Sequence, residues 1–600
     1  MKNINKGILW TSIIIVILYI KSLLLTFMSA SNDGYGIYGI PFDIRLILPH
    51  LAILSIIILP SLMLKGKSSV KYLIIINLIY SIFMILDIWA YRGTGNILAF
   101  KYLFFKDSFN PLNGSLINPG VLDILYVIDI PLLIYKYKKS KYINNFQRNL
   151  KEALIGIIVS ITIVFSYHYF FDIKGYLNGE IMFFKDDWQA SWSPAQRFSN
   201  RSPIGEHVYE AYKTLKKINK KVDINEIEEI ENWLSWNMEK AEDNEYKAVA
   251  KGKNVVFLQI ESLENFVINQ KIYDQEITPN LNKLIKKSLY FSNVHEQNNA
   301  GNSIDMDMMA ATGILPLGDV ITYLEYPEVK YKSLPRLLEE EGYNTILSHA
   351  ERAGDWNWAE AGKSAAGFNE IWDIKQYTLD EYAGFGLSDR SLYTQFSKKL
   401  STLEEPFFAV LPTLTSHGPF DIDEKYRELN LPEELDQNKL GGYFQSINYA
   451  DKQMGLFFDL FEEYNLLDNT VVVIYGDHGG VHKYYMEDVE ASNIPGDWWK
   501  EKDNKIPLII YSKGIEGKSI NTHGGHIDIV PTVAYLLGID TKDYCMGRNL
   551  LTTKRDATVI KGGIVVGNPS EKEEEMLKKA YDIADKIIKN NYYDFTNKVQ

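Results

Sequence analysis

Membrane-length apolar segments at the start of the chain restrict its fold more than any other feature. Each approaches the roughly 20 residues that a helix needs to cross the hydrocarbon core of a bilayer. A cleaved signal peptide explains the first segment alone, but not the segments that follow it. The sequence therefore predicts five membrane spans, near Ile8–Met28, Ile44–Leu64, Tyr72–Tyr91, Val121–Tyr135 and Ala153–Phe171.

The basic residues predict how these spans are oriented, because cytoplasmic loops carry an excess of Lys and Arg. Basic residues lie before the first span, between the second and third spans, and between the fourth and fifth spans. They are Lys2, Lys6, Lys65, Lys67, Lys71, Lys136, Lys138, Lys139, Lys141, Arg148 and Lys151. A cytoplasmic N-terminus and five crossings place everything after Phe171 outside the cell. The fourth span is the weakest, since it is short and contains Asp123 and Asp129. Without that span, the rest of the chain would be cytoplasmic.

Composition excludes several functional classes and divides the 600-residue chain. A formal net charge of −13, without a basic stripe that carries aromatic residues, argues against nucleic-acid binding. The single cysteine, Cys545, rules out an intrachain disulfide framework and a cysteine-rich metal site. The length is too great for one ordinary domain. We expect a membrane domain over residues 1–171, a helical linker over 172–252 and a third domain over 253–600.

In the third domain, strand-like runs alternate with helix-like runs. The predicted strands are Asn254–Ile260, Tyr343–Leu347, Phe407–Leu411, Thr470–Tyr475 and Ile506–Tyr511. The predicted helices include Thr278–Lys287, Leu334–Glu341, Tyr443–Tyr464 and Ile529–Leu537. This alternation predicts an α/β domain with a mostly parallel sheet covered on both faces. Ligands of such sheets bind beyond the carboxyl ends of the strands.

Polar residues follow the predicted strands at that edge of the sheet. They are Glu261, His349, His417, Asp477 and His478. A Gly-containing loop between the first and second of these strands holds Ser303. Two carboxylates, an imidazole and a hydroxyl together form an oxygen and nitrogen shell that suits a divalent metal. A metal beside a hydroxyl indicates nucleophilic phosphoryl or sulfuryl transfer.

Several short motifs, in this order and spacing, carry a family resemblance. They are Gln259-Ile260-Glu261-Ser262, Ile277-Thr278-Pro279-Asn280, Gly301-Asn302-Ser303, Thr415-Ser416-His417-Gly418-Pro419-Phe420, Tyr475-Gly476-Asp477-His478-Gly479 and His526-Ile527-Asp528-Ile529-Val530-Pro531-Thr532. With the apolar spans they make the chain resemble the lipoteichoic acid synthase family of the alkaline phosphatase/sulfatase superfamily. The resemblance implies an α-helical polytopic membrane domain followed by an extracellular α/β sulfatase-like domain.

The resemblance also implies a metal centre and a nucleophile. Glu261, Ser303, Asp477 and His478 would bind one divalent metal ion, Mn²⁺ or Mg²⁺. The family commonly has threonine as its nucleophile, and this chain has Ser303, which offers the same oxygen without the methyl group. Three further histidines are expected to be structural or to support the ligands, because the family uses a single metal: His482, His523 and His526.

The substrate side of the resemblance is less complete. His349, Glu351, Trp356 and His417 stand where the family holds glycerol phosphate, with Glu351 in place of the usual aspartate. Trp358 stands where an arginine normally contacts phosphate. Losing a guanidinium removes a bidentate phosphate partner, and the sequence leaves open whether Arg352 or Lys363 compensates.

The implied reaction is transfer of glycerol phosphate from phosphatidylglycerol through a covalent Ser303 intermediate, with His417 as acid and base. The acceptor would be a growing polyglycerolphosphate chain of lipoteichoic acid or its glycolipid primer. A sulfatase is an alternative, but the Cys/Ser-x-Pro-x-Arg pattern is missing after Ser303. A phosphoethanolamine transferase is a closer alternative, although many carry disulfides that one cysteine cannot supply. An inactive membrane sensor or scaffold is the non-enzymatic alternative.

Overall fold

The computed structural model describes residues 6–39, 43–140, 143–144, 146–177, 191–239, 241–318, 320–541 and 544–599. Residues 178–190 of the predicted linker therefore lie outside the described residues. The chain forms two compact units. The helical unit contains Met1–Lys221 and Ala353–Asn357, and the α/β unit contains Val222–Arg352 and Trp358–Gln600. The predicted linker is thus divided between the two units, and its boundaries stay a prediction.

The helical unit is built mainly from long apolar helices. Its α-helices are α1 (Lys6–Ser29), α2 (Ile47–Ile58), α3 (Gly66–Thr94), α4 (Asp129–Lys139), α5 (Leu150–Leu177), α6 (Pro194–Arg201) and α7 (Pro203–Ile218). Short 3₁₀ turns extend α2 at both ends. In the described part of the chain, four helical segments are long and apolar enough to cross a membrane: Gly7–Ser29, Ile44–Met63, Gly66–Thr94 and Leu150–Lys174.

The fourth predicted span, near Val121–Tyr135, is not a continuous helix. A 3₁₀ helix over Val121–Tyr126 is followed by the 11-residue helix α4. Pro131 lies in the first turn of α4, where a residue without a backbone N–H group is tolerated. The same residue in the interior of one continuous helix would break it. The predicted span missed this break because it rested on the number of apolar residues and did not consider the missing backbone donor of Pro131. The number of membrane crossings stays a prediction.

Charged side chains inside the helical unit are paired. The Lys21 ammonium lies 2.7 Å from an Asp129 carboxylate oxygen and donates to Asn77 at 2.8 Å. Arg92 makes a two-pronged ion pair with Asp123, at 2.7 and 2.8 Å. Isolated charges are expensive within a membrane, and such pairing within a protein makes them tolerable. The two aspartates that weaken the fourth span therefore act as partners of basic side chains.

The centre of the α/β unit is a nine-stranded sheet. Its strands are β1 (Asn254–Ile260), β2 (Leu289–His295), β3 (Asn344–Ser348), β4 (Glu370–Trp372), β5 (Phe407–Pro412), β6 (Thr470–Gly476), β7 (Lys505–Ser512), β8 (Lys518–Ile520) and β9 (Gly524–Gly525). The order is β8-β2-β7-β6-β1-β5-β3-β4, and β9 pairs with β2. Three small hairpins pair Lys271–Ile272 with Gln275–Glu276, Tyr382–Ala383 with Gly386–Leu387, and Ala557–Ile560 with Ile564–Gly567.

Strand direction confirms the mostly parallel prediction around β1 and departs from it on one side. β1 pairs in parallel with both β5 and β6, and β3 pairs in parallel with β4 and β5. β7, which the sequence predicted as a strand, runs antiparallel to β6 and to the unpredicted strand β2. A short apolar run does not encode its direction, so the sequence alone could not separate these cases.

Helices cover both faces of the sheet and complete the α/β unit. They are α8 (Ile224–Asn237), α9 (Pro279–Leu284), α10 (Ser303–Thr312), α11 (Thr322–Glu325), α12 (Leu334–Glu340), α13 (Trp358–Ala361), α14 (Asp389–Leu400), α15 (Glu433–Asp436), α16 (Lys439–Glu463), α17 (Val481–Tyr484), α18 (Met486–Ala491), α19 (Ile529–Leu537), α20 (Glu571–Lys578), α21 (Ala580–Lys589) and α22 (Tyr592–Val599). All seven residues of β1 are buried, as expected for a parallel strand covered on two faces.

Phe257 on β1 allows a test of the sheet core. Its ring is fully buried and packs edge-on against Phe408 at 5.0 Å and Tyr475 at 5.8 Å. Phe257→Ala should lower the free energy of unfolding by about 3–5 kcal/mol, because it removes these contacts and leaves a cavity. Denaturation of the full chain in detergent, followed by near-ultraviolet circular dichroism, measures the loss. Tyr382→Ala, at a 57% exposed aromatic residue, is the control, and equal losses would contradict the assigned core.

Candidate metal centre

Two neighbouring strands bring the predicted carboxylates together. In the parallel β1–β6 pair, Ile260 lies opposite Gly476, so Glu261 and Asp477 leave the sheet side by side. His478 follows directly. Ligand atoms of Glu261, Asp477 and His478 lie within 4.8 Å of one another, and all three residues are buried. Among the described residues, this is the group of three acidic, histidine or cysteine side chains that is close enough to hold a metal ion.

Ser303 is the fourth predicted ligand, and the structure places it at this cluster. It is the first residue of α10, after the N-cap Asn302. Its hydroxyl donates to a Glu261 carboxylate oxygen at 3.1 Å and lies 3.2 Å from Nε2 of His478. The loop before it is held by Asp305, which accepts the N–H groups of Asn299 and Gly301 at 2.9 Å each. These two bonds fix the loop that leads into Ser303.

The His478 imidazole presents its free nitrogen to the cluster. Its Nδ1 lies 2.8 Å from the backbone carbonyl of Gly479, which can only accept a hydrogen bond. A proton therefore resides on Nδ1, and Nε2 faces Ser303 and Glu261, the latter at 3.3 Å, where it can bind a metal ion. Such a bond to a backbone carbonyl is the usual way in which proteins orient a metal-binding histidine.

Asp477 has one satisfied and one unsatisfied oxygen. Oδ1 accepts the backbone N–H groups of Ser262 and His478 at 2.7 and 2.8 Å. Oδ2 is buried and has no hydrogen-bond partner among the described residues. A buried carboxylate oxygen without a donor is costly unless a cation binds it. The orphaned oxygen therefore fits a metal site.

The pKa values of the two carboxylates, Glu261 and Asp477, are shifted as expected for neighbouring acids in a cation site. Burial and the neighbouring Glu261 raise the pKa of Asp477 well above its usual range. Burial alone would raise the pKa of Glu261 as well, but His478 and His417 lower it below its usual value. Two buried like charges at this distance disfavour each other, and a divalent cation removes that repulsion. Carboxylate, imidazole and hydroxyl donors match Mn²⁺ or Mg²⁺ chemistry, and the fit alone does not choose between them.

A second group of polar residues surrounds His349. Its Nε2 lies 2.9 Å from an Asp307 carboxylate oxygen, and its Nδ1 lies 3.6 Å from Glu351. Burial opposes protonation, but Asp307 and Glu351 raise the pKa of His349 to about 9. Gln259 donates one amide N–H to Asp307 at 3.0 Å and lies 3.3 Å from the Ser303 carbonyl. His349 is therefore an imidazolium paired with a carboxylate on helix α10.

Trp358 occupies the position of the expected arginine without supplying its charge. It is fully buried, its indole stacks on His349 with ring centres 4.4 Å apart, and its N–H donates to the Arg352 carbonyl at 3.0 Å. Lys363 does not replace the arginine here, since its ammonium donates to the Asn369 carbonyl. His349 supplies positive charge in this part of the site, and compensation by Arg352 stays a prediction.

The other predicted substrate residues differ in position. His417 follows β5, and its Nδ1–H donates to the Gly418 carbonyl at 2.5 Å, which leaves Nε2 for proton transfer. Its ring stacks on Phe385 at 4.2 Å. Trp356 belongs instead to the helical unit, where it stacks on Trp192 at 5.5 Å. Its substrate role stays a prediction.

The remaining histidines have partners that account for them. His482 lies 2.7 Å from Glu264 and 2.8 Å from the Trp499 carbonyl. His526 accepts the Gln297 N–H at 3.1 Å, and His523 lies 3.2 Å from His295. None belongs to the three-residue metal group.

Sequence reasoning missed several residues that support the ligands. Ser262 donates to Glu261 at 2.6 Å, and Ser416 donates to the Glu261 carbonyl at 2.6 Å. Glu264 accepts the Gly480 N–H at 2.9 Å in the loop after His478. Ser262 and Ser416 lie within quoted motifs, so adjacency to a ligand was the available signal. Glu264 carried no such signal, because its partner is distant in sequence.

Asp477→Asn tests the metal centre because it should lower metal affinity and raise the stability of the metal-free protein. Metal affinity should fall by at least the roughly 10–100-fold seen when supporting residues are lost. Metal-free stability should rise at alkaline pH. A carboxyl whose pKa is raised by folding loses stability as pH increases from its usual value to the raised one, and asparagine removes that slope. Mn²⁺ titration with electron paramagnetic resonance and melting curves at several pH values measure both. Unchanged Mn²⁺ affinity would refute the assignment.

Comparison with known proteins agrees with this geometry. The sequence profile of the sulfatase family matches residues 253–539, and that of the lipoteichoic acid synthase N-terminal domain matches residues 1–223. Lipoteichoic acid synthase 1 of Bacillus subtilis is 28% identical over 569 residues, which cover 91% of this chain and 85% of the relative. Lipoteichoic acid synthase of Staphylococcus saprophyticus is 25% identical and covers 87% of this chain and 81% of the relative.

Among solved structures, the lipoteichoic acid synthase LtaP from Listeria monocytogenes is similar to the chain with a TM-score of 0.54 and 28% identity. The match covers 61% of this chain and 98% of LtaP. The two profiles, the relatives and this structure agree with one another along most of the sequence. The chain belongs to the lipoteichoic acid synthase family, phosphotransferases that join N-terminal apolar helices to an α/β domain of the alkaline phosphatase/sulfatase superfamily.

Proposed function

We propose that the chain transfers glycerol phosphate from phosphatidylglycerol to a polyglycerolphosphate chain of lipoteichoic acid or to its glycolipid primer. The observation that carries this proposal is the position of the Ser303 hydroxyl, 3.1 Å from Glu261 and 3.2 Å from His478 within a buried cation site. The similar proteins named above are lipoteichoic acid synthases, which supports the same reaction class.

In the first half-reaction, the Ser303 oxygen forms a bond to phosphorus and the bond from phosphorus to the diacylglycerol oxygen breaks. When bound, a divalent cation supplies Lewis acidity that favours the serine alkoxide and neutralises charge on the phosphoryl oxygens. The proton lost by serine is balanced by the one that diacylglycerol gains. His417 Nε2 is the group that we assign to deliver it, because Nδ1 is committed to the Gly418 carbonyl.

The second half-reaction regenerates the enzyme. An acceptor hydroxyl loses its proton to His417 and attacks phosphorus, and the bond to Ser303 breaks as the serine regains a proton. Use of one imidazole as acid and then as base follows from the symmetry of the two displacements. The acceptor therefore needs only a hydroxyl group near the covalent intermediate, which suits either a glycolipid or the end of a growing chain.

The His349 group is assigned to the glycerol phosphate. An imidazolium beside Glu351 offers charge and N–H donors to an anionic, hydroxyl-bearing headgroup. We assign Glu351 to the glycerol hydroxyls, and His349 to the negative charge that the family commonly meets with arginine. The mass of the covalent adduct tests the headgroup directly. By the same proposal, the spans anchor the enzyme in the cell membrane with its catalytic domain outside.

Ser303→Ala tests the covalent mechanism. Diacylglycerol release from labelled phosphatidylglycerol with Mn²⁺ should fall on the order of 10⁴-fold or more, because the attacking oxygen is gone. Ser303→Thr is the matched control and should retain activity, since it keeps a hydroxyl at the same atom. Intact-mass analysis should show a glycerophosphate adduct on the wild type only. Equal release by the wild type and the alanine variant would refute the proposal, and a phosphoethanolamine adduct would favour the alternative headgroup.

Asp307→Asn tests how His349 is charged. The wild-type KM for the donor should increase as pH rises through about 9, where His349 loses its proton. Removing the Asp307 carboxylate removes a group that raises the pKa of His349, so the same increase should appear at lower pH. The pH profile of kcat/KM measures the shift. A variant that merely loosened the fold would lower activity without moving the profile, and an unmoved profile would contradict the assigned role.

A further inference from the structure

The helical unit contains a large apolar cavity that the proposed reaction does not explain. Its volume is about 720 Å³, and its lining comes from α2, α5 and the segment that includes α7. Most of the lining is aliphatic or aromatic, including Ile53, Ile57, Val164 and Ile204. Gly205 allows α7 to approach α2 closely, since a Cβ atom there would lie 3.1 Å from Ile53.

The surroundings of the cavity favour hydrocarbon as its occupant. α2 and α5 both belong to segments apolar enough to cross a membrane. Phe165, which lines the cavity, is 71% exposed on α5. Water needs several polar partners to occupy such a space, and an empty space loses the dispersion contacts of its walls. The volume lies within the roughly 300–1,000 Å³ usual for pockets that hold one small molecule.

Helix α7 has the pattern of a helix at a membrane surface. Val208, Tyr212 and Leu215 form an exposed apolar stripe at helical spacing. Lys216 and Lys217 lie in its last turn. A basic amphipathic helix binds the boundary between acyl chains and anionic headgroups. Val208 and Tyr212 also line the cavity. The cavity therefore opens at the same face of α7 that carries the exposed apolar stripe.

A guanidinium group lies at the polar end of the cavity. Arg201 lines the cavity, and its guanidinium lies 2.6 Å from Glu206. Arg197 lies 3.9 Å from the other Glu206 oxygen. Two guanidinium groups therefore share one carboxylate. A guanidinium at this end complements a phosphate, whereas the apolar walls complement an acyl chain.

We propose that this cavity binds one acyl chain of an anionic glycerophospholipid, whose phosphate lies beside Arg201. The inference rests on the proposed function only in identifying that lipid with the donor class. Binding itself requires no turnover, so it can be tested with an inactive protein. The site would hold a lipid at the membrane-facing unit of an enzyme that consumes lipids of the same chemistry.

Photocrosslinking tests the site directly. Full-length Ser303→Ala protein in vesicles would be exposed to phosphatidylglycerol with a diazirine within one acyl chain, and adducts would be mapped by mass spectrometry. Adducts should concentrate in residues 164–168 and 204–212. Val164→Trp should reduce them by about fivefold or more, because it fills the space that an acyl chain would occupy. Ile158→Trp, at a 63% exposed position of the same helix outside the cavity, should leave them unchanged.

Three outcomes would overturn the proposal. They are adducts spread evenly over lipid-facing positions, equal labelling by a phosphatidylcholine probe, and displacement by diacylglycerol but not by unlabelled phosphatidylglycerol. Val208→Trp, at the exposed rim, provides a second filling variant in case Val164→Trp fails to fold, and melting curves identify such a failure. If the crosslinks appear while wild-type protein releases no diacylglycerol, the lipid site stands and the proposed function fails. If wild-type protein releases diacylglycerol while no crosslinks appear, the proposed function stands and the lipid site fails.

Discussion

The close approach of two buried carboxylates, Glu261 and Asp477, is the constraint on which the rest of the catalytic unit depends. Parallel pairing of β1 and β6 forces them to leave the sheet together. Water cannot solvate them, and only some of their oxygens accept hydrogen bonds. Their repulsion is acceptable when a cation binds between them. His478 and Ser303 complete that site because the following loop and the start of α10 meet at the same edge.

The helix that begins at Ser303 also organises the polar residues around His349. Asp307 lies one helical turn after Ser303 and pairs with His349, and Gln259 on β1 joins both ends of this turn. This network places a charged imidazole beside Trp358, which stands where an arginine was expected. Trp358 packs against the imidazole and fills the space, whereas the charge comes from a histidine held between two carboxylates. Charge and shape, which arginine combines, are here divided between two residues.

The helical unit contains ion pairs that support its structure and, by our proposal, a guanidinium that meets a lipid. Lys21 with Asp129, and Arg92 with Asp123, are satisfied inside the unit, so they fix how its helices pack. Arg197 and Arg201 instead lie near one carboxylate, that of Glu206, and Arg201 lines the apolar cavity. By our proposal, this arrangement holds a lipid by its acyl chain and its phosphate together.

The amino-acid sequence by itself determined the α/β class, the strands that carry the ligands, and the identity of Glu261, Ser303, Asp477 and His478 as a cluster. It could do so because buried strands are continuous apolar runs and because polar residues directly after them share one sheet edge. Only the tertiary structure decided the antiparallel direction of β7, the break near Pro131 and the grouping of Trp356 with the helical unit. It also decided that Asp307 charges His349. These features depend on contacts between residues distant in sequence, and local patterns carry no information about which distant partner a side chain or strand will meet.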